Sequence, residues 1–169
     1  RGEGRGREQA AAFGKRKKRG KRMKAEQAKE AYMDGFSISR RNGARELRRW
    51  KEENGVLEAP ASSHHHGSYA GGLAAHSVNV YLRLMESVEG ENKRGRKCGY
   101  SMETLAVVSL LHDLFKIDAY EQTEEGGYRL TKHFPAGHGE KSVFLIVKHL
   151  DLMDEELLAI GWHMGQYAF

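Results

Sequence analysis

Residues 101–114 of this chain read SMETLAVVSLLHDL, and they constrain the fold more than any other segment. A serine suited to cap a helix is followed by residues that are apolar nearly all round, with Ser109 in the middle of the run. A helix without a polar face has no place on a surface, so the pattern predicts a central buried helix with others packed around it. His112 and Asp113 stand near its C-terminal end. A carboxylate on a buried helix is rarely tolerated unless it is paired or bound to a metal. The same segment that organises the core therefore carries a candidate for chemistry.

Weaker helical signals flank it. Residues 24–33 favour helix, with Gly35 expected to interrupt it. A second helix is expected over 42–53, capped by Asn42, with Leu47 and Trp50 on one face and Asn54-Gly55 as its stop. Over 73–87, Leu73, His76, Val80 and Leu84 trace one stripe, which Val78, Leu82 and Met85 widen. A charged, glycine-containing loop over 89–100 leads into the central helix. Beyond it, polar and aromatic residues over 119–134, centred on Glu125-Gly126-Gly127, read as a small hairpin insertion. Two further helices are expected over 139–150 and 154–164. The fold class is an all-α helical bundle with a small hairpin insertion.

The 28 Lys/Arg and 23 Asp/Glu give a formal charge of +5, a total that hides a division. Residues 1–50 hold 17 basic and 6 acidic side chains, whereas residues 51–169 hold 11 and 17. The expected organisation is a basic N-terminal arm with a short helix over 1–42, followed by a helical domain over 43–169. Residues 1–24 contain five glycines and few large apolar side chains, so they are expected to be disordered. Their charge attracts nucleic acid or another acidic partner. Phe13 is the only aromatic among them, which gives little support for base stacking. One cysteine, Cys98, excludes an internal disulfide framework and fits a reducing, cytoplasmic setting. No apolar run is long enough to span a bilayer, no signal peptide opens the chain, and no membrane partner is expected. The first residue is Arg1, so the natural start is expected upstream.

All nine histidines fall between His64 and His163. His76 lies on the apolar stripe, His112 precedes Asp113, His138 opens a helix, and His163 ends another. A single histidine on an apolar face is ordinarily a core residue satisfied by one hydrogen bond. Several converging from different helices with one aspartate are how bundles build metal sites.

Four strings occur in order: HHHGSYAGGLAAHSVNVY over 64–81, LLHDLFKID over 110–118, PAGHGEKSVFLI over 135–146 and AIGWHMG over 159–165. Together they resemble the HD-domain metal-dependent phosphohydrolases, and within these the bacterial and phage HD-family hydrolases. The first block is also similar to that of HD-type 3′–5′ exoribonucleases. The resemblance covers about residues 43–169. It implies that His76, His112 and Asp113 bind metal, with Asp113 able to bridge two ions. It implies that His138 and His163 either ligate a second metal or face the phosphate. By the same resemblance Lys116 contacts phosphate, and His66 lines the site or supports its ligands. Gly71 and Gly72 let the backbone turn into the His76 helix. His133 is expected to reach the site rim and contact substrate. Family members complete the first metal site with an aspartate on a later helix, and no Asp follows Asp154 here. Either that helix lies beyond Phe169, or the site is built from the remaining ligands.

The function expected is a metal-dependent phosphohydrolase cleaving a phosphomonoester or phosphodiester, of a nucleotide or a nucleic-acid end, with Asp113, Lys116, His138 and His163 in catalytic roles. Imidazole and carboxylate ligands suit one or two divalent ions, Mn, Fe, Ni, Co, Mg or Zn. Such an ion lowers the pKa of bound water and supplies hydroxide, while a free histidine, His138 or His163, protonates the leaving oxygen. Two alternatives belong to other classes: a nucleic-acid-binding protein working through its basic arm, and a nucleotide sensor without turnover, each on a degenerate HD scaffold.

Overall fold

A computed structural model of the protein describes residues 25–131 and 137–165. The basic arm over 1–24 and His133 lie outside the described residues. Among the described residues, six α-helices run in chain order: α1 (Ala25–Phe36), α2 (Ala44–Glu53), α3 (Gly72–Lys93), α4 (Met102–Leu111), α5 (His138–Val147) and α6 (Asp154–Gly161). A 3-10 turn over Leu114–Ile117 follows α4. Between it and α5, β1 (Tyr120–Gln122) pairs antiparallel with β2 (Tyr128–Leu130), Tyr120 facing Leu130. This is the expected hairpin, turning at Gly126 in the left-handed region (φ 81°). No helix among the described residues is long and apolar enough to cross a membrane.

The all-apolar helix is central, as its composition requires. Ser101 caps α4 by accepting the Thr104 backbone N–H at 3.0 Å, and Leu105, Ala106, Val107, Leu110 and Leu111 are buried. α4 packs against α1, α3 and α6, while α5 packs on α6 and the 3-10 turn. Each large apolar side chain enclosed this way contributes about 1.5–3 kcal/mol relative to solvent exposure.

Several expected boundaries move. Gly35 does not break α1, which continues to Phe36 and buries Ala28, Ala31, Tyr32, Met33 and Phe36 in the common core. The core thus begins before residue 43, where the helical domain was expected to start. Gly43, not Asn42, is the N-cap of α2. It sits at φ 83°, and a Cβ there would overlap the His149 carbonyl oxygen, so the position suits glycine alone. The helix α3 extends to Lys93 through residues expected to form a loop. Its fully buried side is Leu73, Ala74, Ser77, Val78, Tyr81 and Leu82. His76, Val80 and Leu84 flank that side and are only partly covered. Of the expected face, Leu73, Val78 and Leu82 are therefore in the core, and His76 is left at its edge.

Two ties position the helix ends. Arg41 donates to both carboxylate oxygens of the fully buried Glu156, at 2.6 and 2.7 Å, and so holds the segment before α2 to the start of α6. Ser39 Oγ and the Arg40 backbone N–H each donate to Glu103 Oε1 at 2.8 Å, fixing the same segment to the first turn of α4. At the other end, Gly71 (φ 84°) turns the chain into α3, and a Cβ on Gly72 would overlap the Gly67 carbonyl oxygen. The Leu73 N–H donates to the Ala59 carbonyl at 3.0 Å, which sets where His76 emerges.

Candidate metal centre

α4 ends at Leu111, sooner than the apolar run implies, and the break shapes the site. His112 is its C-cap (φ −54°, ψ −34°), and Asp113 (φ −106°, ψ 23°) starts the 3-10 turn. On a continuous helix, neighbouring side chains diverge by about 100°. The break brings the two together: His112 Nε2 is 3.3 Å from Asp113 Oδ2. His76, from the first turns of α3, adds its Nε2 at 3.2 Å from His112 Nε2 and 3.2 Å from Asp113 Oδ2. The three atoms form a nearly equilateral triangle that could hold a metal ion. With donor–metal bonds of about 2.1 Å, neighbouring ligand atoms are about 3.0 Å apart in an octahedron and about 3.4 Å apart in a tetrahedron. The observed edges fall between these values, so the donor set fits a small divalent ion on one face.

The imidazoles are oriented from behind. His112 Nδ1 lies 2.9 Å from the Ser109 carbonyl oxygen and His163 Nδ1 lies 2.7 Å from that of Ile160. A carbonyl only accepts, so each Nδ1 carries a proton and each ring turns its Nε2 into the site.

His163, just past α6, approaches from the opposite side. Its Nε2 is buried, 3.4 Å from Asp113 Oδ1. Its ring meets that of His112 edge-on, with centroids 5.1 Å apart. Lys116 donates to Asp113 Oδ2 at 2.7 Å. Burial alone would raise the Asp113 pKa, but bonds from His112, His163 and His76 override it and hold the carboxyl far below the usual range. Burial lowers the His163 pKa, and the Asp113 bond, the Ile160 carbonyl and the Asp113 charge together raise it above the ordinary histidine value.

His138 is brought near but outside the triangle. Its ring stacks on Phe115, with centroids 4.3 Å apart and planes 17° apart. Burial pushes its pKa down, and the Asp113 charge offsets only part of that. α5 can start so close because a Cβ on Gly139 would overlap the Gly161 carbonyl oxygen of α6.

The remaining sequence candidates separate. His66 is exposed in the turn before α3; among the described residues, its carbonyl accepts from Ser62 Oγ and no contact links its ring to the centre. His64 and His65 are exposed beside it. His149 stacks near Trp50, at 5.4 Å between centroids, and lies 3.8 Å from Glu46. Tyr120, which no spacing rule marks, is a further neighbour: burial raises its phenol pKa first, and the Asp113 charge adds to the effect.

No family model matches this chain, and neither any curated protein nor any solved structure matches it.

Proposed function

We propose that the protein is a metal-dependent phosphohydrolase of the HD type, acting on a phosphomonoester or phosphodiester. The observation that carries this is the convergence of His76 Nε2, His112 Nε2 and Asp113 Oδ2 within 3.3 Å of one another. These residues come from the segments whose sequence resembles the HD motifs. A divalent ion held by the three atoms would supply Lewis acidity and an acidified water for attack on phosphorus. Lys116 neutralises the carboxylate, and its ammonium lies where it can turn to a phosphoryl oxygen once Asp113 is otherwise engaged. His163, with its Nδ1 proton fixed on the Ile160 carbonyl, offers Nε2 for carrying a proton to the leaving oxygen. His138, flat against Phe115, borders the same space and stays neutral near pH 7, suited to accepting or orienting.

The test is a panel of phosphomonoesters and phosphodiesters, including nucleotides and short oligonucleotides, with protein loaded in turn with Mn²⁺, Fe²⁺, Co²⁺, Ni²⁺, Zn²⁺ and Mg²⁺. Metal-dependent release of phosphate or nucleotide by the wild type, abolished in Asp113→Asn, is expected. Tight ion binding with no turnover on any member of the panel would overturn it.

A further inference from the structure

A second concave site lies at the far end of the central helix. Asp113 follows the last turn of α4, whereas Ser39 and Arg40 are bonded to Glu103 in its first turn. Ten residues separate Glu103 from Asp113, about 15 Å along a helix. Between the end of α1 and the start of α2 the surface forms a cleft of about 690 Å³, whose lining includes Arg40, Arg41, Arg45, Arg48 and Asn42 against one acidic residue, Glu46.

The arginines divide by what they already hold. Arg41 is committed to Glu156, and Arg48 donates to Ser37 Oγ at 2.6 Å and lies 3.5 Å from Glu52. Arg40 and Arg45 are exposed, and among the described residues neither guanidinium has an ion-pair partner. At the same place, the glycine cap of the ten-residue α2 offers no side-chain acceptor to its first amides. The cleft thus presents two free guanidinium forks and an uncapped helix start, both complementary to tetrahedral oxyanions.

We propose that this cleft binds the phosphodiester backbone of a single-stranded nucleic acid. Its volume exceeds that of a lone phosphate and suits a nucleotide-sized segment. Among the described residues, the one aromatic in the lining, Phe36, is buried at 1% exposure and cannot stack on a base. Recognition is therefore of the backbone, and affinity is independent of base sequence. This binding site stands apart from the metal centre and does not depend on turnover there.

The test is fluorescence anisotropy of the full-length chain with a labelled oligothymidylate of about twelve nucleotides across a salt series, comparing wild type with an R40Q/R45Q variant. The basic arm is present in both, so its attraction cancels in the comparison. Arg40 and Arg45 have no ion pairs among the described residues to lose, and an unchanged Tm confirms that the variant is folded. Affinity is expected to fall at least about tenfold at moderate salt. The slope of log K against log salt should become shallower by about 1.4, from two lost contacts on a single strand. A mixed-sequence oligonucleotide of the same length should bind wild type equally well. Unchanged affinity and slope in the variant would overturn the proposal. So would displacement of the oligonucleotide by polyglutamate at equal charge concentration, which would assign the cleft to acidic peptides.

Discussion

His76 Nε2 and His112 Nε2 face each other at 3.2 Å, although they belong to helices 36 residues apart in the chain. With the His112 proton on the Ser109 carbonyl, His112 Nε2 accepts in this contact and His76 Nε2 donates. A divalent ion bound there would replace the shared proton and be held by both nitrogens and the Asp113 carboxylate together.

Ion binding should therefore stabilise the fold. At a concentration about a hundredfold above Kd, linkage contributes about 2.7 kcal/mol. For a domain of this size that corresponds to a Tm rise of roughly 5–10 °C. Differential scanning fluorimetry with Mn²⁺, Co²⁺ or Zn²⁺ measures it, and Asp113→Asn should lose the rise. Equal shifts in wild type and variant would place the ion elsewhere.

His163 is expected to separate from the ligands by its kinetics. Its Nε2 is on the Oδ1 side of Asp113, whereas His76 and His112 share Oδ2. His163→Gln should keep ion affinity, read by calorimetry, within a few-fold while lowering kcat by about 10²–10⁴. A hundredfold loss of affinity would instead make His163 a ligand.

How much of this was legible in the sequence differs between fold and site. Local signals mark the helices: the apolar run of α4, the serine before it, and the Gly126-Gly127 turn all appear where the pattern puts them. The buried side of α3 was legible only in part: Leu73, Val78 and Leu82 are buried as the spacing implies, but apolar spacing fits two overlapping stripes, and contact with α1 and α4 selects the one containing Tyr81 over the one through His76 and Val80. The site residues came from motif resemblance, not from periodicity. Their convergence depends on a helix ending at Leu111, and nothing in the run LAVVSLL announces that end. Orienting groups such as the Ser109 and Ile160 carbonyls are backbone atoms, so no residue type could have revealed them. Tyr120 was hidden for another reason: it reaches Asp113 through a hairpin whose placement is tertiary.

Lys51 is the least comfortable group in the core. It is fully buried, its Nζ has no hydrogen-bond partner, and it lies 3.6 Å from the Phe36 ring centroid and 4.5 Å from that of Tyr32. Burial drives its pKa well below the usual lysine value. Between that lowered pKa and the unfolded value of about 10.4, the unfolded chain binds more protons, so stability rises with pH. Burial raises the Tyr32 and Tyr81 phenols, Tyr81 to about 12, which reverses the trend above about pH 10. Denaturant melts from pH 7 to about 9.5 should show the rise in wild type and a flatter profile in Lys51→Met. At pH 7 the variant should be more stable by about 1–3 kcal/mol. A destabilised variant would show that the two rings more than compensate the buried ammonium.

The Arg41–Glu156 pair should govern part of the acid limb. Burial would raise the Glu156 pKa, but the Arg41 bonds and the Met153 N–H lower it below the ordinary value. Its contribution is complete above the unfolded carboxyl pKa of about 4.3 and is lost as pH falls through the lower folded value. Glu156→Gln should cost about 3 kcal/mol near neutrality and flatten the fall in stability below pH 4.3. An unchanged acid limb would assign that loss to other carboxylates.

Gly139 tests whether the crossing of α5 and α6 sets the spacing of the centre. It follows His138 directly, and an added Cβ would overlap backbone atoms of Gly161 and Ile160, none of which can swing aside. Ile160 is also the residue whose carbonyl orients His163. Gly139→Ala must therefore push α5 away from α6 and disturb His138 and His163 together, while His76, His112 and Asp113 stay on α3 and the end of α4. The expected result is a loss of about 1–3 kcal/mol in denaturant melts, with ion affinity retained and kcat reduced. Retained stability and turnover would mean that the two helices slide freely at their crossing, and that the positions of His138 and His163 do not depend on it.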